Sequence, residues 1–130
     1  MLHPDQFEVN EAWIAFRLNQ IPIRTELDGA FNCIALMDAA SCFILGSKFI
    51  RAAAAEPTRV QFRSLLKDAE RHKHQLPRTL FVPREDVADR VTLEATQRSI
   101  EVVRVPESEL LIFIAEAREG FAERFGGIAR

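Results

Sequence analysis

The sequence predicts an α/β protein with a mixed five-stranded sheet, three antiparallel strands followed by two parallel ones, and helices on both faces in the order βββαβαβα. Three observations carry this expectation. Residues 31–50 hold two apolar runs of strand length, FNCIALMD and CFILGSKFI, parted by Asp38-Ala39-Ala40-Ser41 in the manner of an antiparallel hairpin. Neither run alternates between apolar and polar, which describes strands covered on both faces and places this hairpin at the sheet centre. Beyond it, short apolar runs alternate with stretches of helical period, and a strand that follows a helix pairs in parallel.

In chain order, residues 1–12 are polar and read as an arm or a loose helical turn, and Trp13-Ile14-Ala15-Phe16-Arg17-Leu18 is an apolar run of strand or short-helix length. Pro22, between Ile21 and Ile23, lacks the ladder donor and marks an edge or loop, and Asp28-Gly29 signals the turn into the hairpin. Pairing Asp38 with Ser41 would put Cys42 opposite Met37 and Cys33 opposite Gly46. After four alanines and Pro57, Thr58 with Gln61 three positions on forms a capping box. Phe62, Leu65, Leu66, Ala69 and Leu76 then share one helical face up to Pro77. Thr79-Leu80-Phe81-Val82 is a strand bounded by prolines, and Pro83-Arg84-Glu85-Asp86 reads as the first turn of a helix reaching Ser99, with a thin face of Val87, Val91 and Ala95. Residues 100–105 form the last strand. A helix from Ser108 follows, with Leu110, Ile114, Ala117, Phe121 and Phe125 as its stripe and Gly126-Gly127 as its stop. Leu111, Ile112 and Phe113 widen that apolar surface, which burial or a homodimer would cover.

The 130 residues read as one domain, and 48% hydrophobic with 28% charged residues excludes a disordered or fibrous chain. Seventeen Lys and Arg against nineteen Asp and Glu give a net charge of -2, so the field of a nucleic-acid binder is missing. Two cysteines that do not meet fit a reducing compartment. With neither a leader-like amino terminus nor a membrane-length apolar run, the expected location is cytoplasmic.

Several short stretches, taken in order, resemble the RNase H-like superfamily, and in particular the catalytic core of integrases and transposases. They are Trp13 in the first run, Leu36-Met37-Asp38-Ala39-Ala40-Ser41 with Ile44-Leu45-Gly46, Pro77 ahead of Leu80-Phe81-Val82, and Ser99-Ile100-Glu101-Val102 ending at Pro106. The resemblance covers most of residues 13–106. It implies two divalent metals held by an aspartate in the middle of the first strand, another carboxylate at the end of the fourth, and a third on a later helix, for phosphodiester chemistry. The positions that match the first two are Phe16 and Pro83, which carry no side-chain oxygen. The expected protein is therefore a non-catalytic binding or structural module on a degenerate fold, with no cofactor and an unknown partner.

Two rival readings stay open. A metal-dependent phosphoesterase would use relocated acids, Asp38, Asp86 and Glu116, with magnesium or manganese. Against it, Asp38 suits the opening of a turn, Glu85 and Asp86 suit a helix start, and Glu116 and Glu119 suit a solvated face. A nucleic-acid-binding accessory would use an anion patch of Arg71, Lys73, Arg78 and Arg84, although a basic helix end satisfies carbonyls anyway. His72 and His74 point about 200° apart on a helix and cannot share one ion. No GxGxxG, P-loop, GxSxG, HExxH or CxxC is present.

Overall fold

The computed structural model describes residues 1–126, with side chains through 124. Six strands form one mixed sheet: β1 (Ala12–Arg17), β2 (Ile23–Thr25), β3 (Gly29–Asp38), β4 (Ile44–Arg51), β5 (Thr79–Pro83) and β6 (Glu101–Val105). Three helices of eight or more residues accompany it, α1 (Arg59–Lys73), α2 (Asp89–Thr96) and α3 (Glu107–Phe121). Phe31 pairs with both Ile23 and Arg51, and Ile34 with both Arg17 and Lys48, so β1 and β2 share one edge of β3 and β4 takes the other. The spatial order is therefore β4, β3, β1, β5, β6, with β2 prolonging the β1 edge. The β1, β5 and β6 strands run parallel, so their carboxyl ends open at one end of the sheet.

This order moves the sheet centre. The strand with neighbours covered on both sides is β1, buried from Ala12 through Phe16, whereas β4 is an edge strand with Ser47, Phe49 and Arg51 exposed. The hairpin register also differs from the simple pairing. Cys42 takes a left-handed backbone (φ 59°) and a bulge interrupts the ladder after Leu36, so Cys33 faces Phe49 while Gly46 faces Leu36. The sixth strand, β2, is the short segment after Pro22, and the turn that follows it uses Gly29 at φ 87°.

Alternation along β1 and β3 sends side chains to two cores. Trp13, Ala15 and Leu36 face Phe62, Leu65, Leu66 and Ala69 of α1 and Val91 and Ala95 of α2. Ile14, Phe16, Ala35 and Met37 face Leu110, Phe113 and Ile114 of α3. At Gly46 an added Cβ would come within 3.2 Å of Leu65, so the missing side chain lets α1 lie close on β4. The amino-terminal arm folds back: Phe7 packs its ring 5.6 Å from Phe81 and 6.2 Å from Phe113.

The capping box of α1 forms as read, with Gln61 N donating to Thr58 Oγ1 at 3.1 Å and Thr58 N to Gln61 Oε1 at 2.9 Å. The helix stops at His74 in the left-handed region, three residues before Pro77. The second helix is shorter than its periodicity suggested. Pro83 closes β5, and residues 84–88 form a connection before Asp89. Val87 is exposed there. On α3, Phe113 is buried but Leu111 and Ile112 face outward. Gly127 and the side chain of Phe125 lie outside the described residues.

Candidate functional site

Ligands of open α/β sheets gather beyond the carboxyl ends of the parallel strands, where the chain leaves in opposite directions. Here that corner lies past Arg17, Pro83 and Val105. Phe16, one residue from the end of β1, is 1% exposed, and Pro83 closes β5 beside it. Arg118 comes down from α3 over the same ring, its guanidinium carbon 6.0 Å from the centroid of Phe16. It is held there by donating Nε to the Arg17 carbonyl at 3.0 Å and an η nitrogen to Glu107 Oε1 at 2.7 Å. A second guanidinium, Arg104 on β6, donates to the carbonyls of Pro83, Arg84 and Asp86 and so fixes the connection after β5.

Two further acids join Glu107 at the corner. Glu85 accepts the Glu107 backbone N–H at 2.9 Å, which lowers its pKa and caps α3; the helix start that the residue suits is the third, not the second. The carboxylate of Asp86 accepts no hydrogen bond among the described residues. Burial raises its pKa, the charge of Glu107 adds to this, and Arg17, Arg118 and Arg104 offset it in part. The Nε atoms of Arg17 and Arg104 are buried without an acceptor among the described residues. A cavity of about 70 Å³ between Arg17, Asp86, Phe16, Asn32 and Glu56 is well below the several hundred Å³ of a typical ligand pocket.

Asp38 belongs to the other end of the sheet, since β3 is antiparallel to β1 and pairs Asp38 with Trp13. Wholly buried, it accepts Asn10 N at 2.6 Å, Ser41 N at 2.9 Å and Ser41 Oγ at 2.7 Å. Asn10 in turn accepts the indole N–H of Trp13 at 2.7 Å, so one carboxylate ties the arm, the central strand and the hairpin turn together. Four residues of β1 separate its level from that of Arg17, roughly 13 Å at strand rise. Glu116 and Glu119 are exposed on α3. Among the described residues no three His, Cys, Asp or Glu side chains stand close enough to hold one ion.

The basic residues also separate. Arg71 and Lys73 end α1 and Arg78 precedes β5, while Arg84 follows β5 at the far end of that strand. Arg71 pairs with Asp68 at 3.6 Å, and Lys73 stands 5.9 Å over the ring of Phe43, on which His72 stacks at 5.3 Å. The cleft beside Arg78 is lined by Glu8 and Glu11 as well. Both thiols are held neutral: burial raises the pKa of Cys33, and burial with the nearby charges of Asp38 and Glu116 raises that of Cys42.

Two buried acids were not singled out by the sequence reading. Glu56, from the connection before α1, accepts Arg90 N at 2.9 Å and Val91 N at 3.2 Å and so caps α2, whose own cap residue Ala88 has no acceptor. Glu94 lies on α2 under three arginines. Its signal was available, because positions 91, 94, 95 and 98 share a helical face whose other members include Val91 and Ala95.

No protein-family model matches the chain, and no curated protein matches it in sequence. Among solved structures it is similar to a chain of the simian T-cell lymphotropic virus intasome in complex with PP2A regulatory subunit B56 gamma. The TM-score is 0.61 at 13% identity over 88% of this chain. This chain spans 39% of the length of that one. At that identity the likeness is one of fold. No helix among the described residues is long and apolar enough to cross a membrane.

Proposed function

We propose that the chain is an RNase H-like domain whose metal corner has been rebuilt as a closed structural joint, and that it works as a non-catalytic binding or structural module. The observation that carries this is the guanidinium of Arg118 over the ring of Phe16, at the level where β5 ends in Pro83. Two divalent ions need converging anionic oxygens. A phenyl ring and a pyrrolidine offer none, and a fixed positive charge raises the cost of placing a cation beside them. The residues present therefore do not fit the metal pair that the fold family implies. The strand order and the similarity in fold to an intasome chain support the assignment.

The competing phosphoesterase would need Asp38, Asp86 and Glu116 to act on one centre, and the first two are separated by the length of β1. A direct assay uses a model phosphodiester, single-stranded and duplex oligonucleotides with magnesium or manganese. The expected result is no turnover above buffer. Turnover that disappears in Asp86→Asn would overturn the reading.

A further inference from the structure

We propose that the face where α1 meets α2 is a binding site for a phosphate group, built from Arg59, Arg63 and Arg98 around the buried Glu94. This site is on the opposite side of the sheet from α3 and does not depend on the reading of the corner. Arg59 donates Nε to Glu94 Oε1 at 2.9 Å, Arg63 an η nitrogen to the same oxygen at 2.9 Å, and Arg98 an η nitrogen to Oε2 at 2.8 Å. The carboxylate side chain is 0% exposed, while Arg59 and Arg63 each remain 42% exposed. Three arginines answered by one carboxylate leave two positive charges in excess.

The pKa of Glu94 falls to about 2, with the hydrogen bond from Arg63 the largest cause and those from Arg98 and Arg59 adding to it. Both η nitrogens of Arg59 and the second η nitrogen of Arg63 have no protein acceptor among the described residues. Glu94 thus holds flexible side chains from α1 and from the turn after α2 in a fixed array, and binding an anion there costs less side-chain entropy than on a bare surface. Exposed Arg90, one turn before Glu94, and Lys67, one turn after Arg63, extend the positive face. Of the acids on the same helices, Asp89 falls about 140° round α2 from Glu94, Asp68 falls about 140° round α1 from Arg63 and pairs with Arg71, and Glu70 is nearly two turns beyond Arg63.

The guanidinium fork matches the geometry of phosphate oxygens, and two surplus charges match a phosphate dianion better than a single carboxylate. That group could be free phosphate or a monoester, or could belong to a phosphodiester backbone. Calorimetric titration of the whole chain with inorganic phosphate, and separately with a single-stranded oligonucleotide, distinguishes these sources. Saturable binding in either arm is expected, weakened about tenfold or more in Arg59→Gln and in Arg63→Gln, from the usual strength of charge-assisted hydrogen bonds. Arg71→Gln should bind like the parent chain. The proposal is overturned by no saturable binding in both arms, or by Arg59→Gln and Arg63→Gln variants that are folded and bind as the parent does.

Discussion

At the amino end of β1, Asp38 is enclosed by three donors, two backbone N–H groups and a hydroxyl. At the carboxyl end of the same sheet, Asp86 is half-buried among arginines and its carboxylate accepts no hydrogen bond among the described residues. Both follow an apolar strand, and both look in the sequence like acids offered at a strand end. What separates them is where the oxygens' lone pairs go. Asp38 is consumed by holding the arm and the turn to β1, while Asp86 carries a desolvation cost that the nearby guanidiniums only partly offset. An acid with both oxygens engaged by donors is structural, and an acid without donors is the one a ligand or a substitution can affect.

This contrast gives opposite signs for two substitutions. Asp38→Ala leaves Asn10 N buried without its acceptor and frees the 38–41 turn; with hydrogen bonds to a charged group at about 1.5–3 kcal/mol each, it should cost about 3 kcal/mol or more in chemical denaturation. A loss below about 1 kcal/mol would break the comparison. Asp86→Asn has the smaller effect, in the other direction. Because folding raises the pKa of Asp86, its charged form is disfavoured in the folded state. The stability linked to it is fully present below the unfolded pKa and is lost as pH rises through the folded one. Asp86→Asn should therefore melt with the parent near pH 3 and at or above it near pH 7. A variant that melts lower at pH 7 alone would show that the carboxylate is paired after all.

The same distinction marks what could be read from the letters. Local chemistry was legible: the Thr58 and Gln61 box, the α1 core face from Phe62 to Ala69, and the run from Trp13 as an element of strand or short-helix length all depend on residues a few positions apart. The pairing of β1 at the sheet centre was not, because it is set by partners in β3 and β5 and not by the hairpin's own apolar content. The hairpin register escaped for a different reason. A left-handed Cys42 and a bulge after Leu36 shift every pair by an amount that turn spacing does not reveal. Glu56 and Glu94 are bonded to groups 31–35 positions away, so their roles exist only once α1 and α2 are packed. The second helix began late because Pro83 could serve equally as a helix start or a strand end, and parallel pairing with Val105 decided it.

The central claim is that Phe16, Pro83 and Arg118 close the corner to divalent cations. It is tested most directly by titrating manganese into isotopically labelled protein and following paramagnetic broadening of backbone amides. The account predicts no saturable broadening centred on Arg17, Asp86 and Glu107. Broadening of those amides at low manganese that is abolished by Asp86→Asn would contradict it.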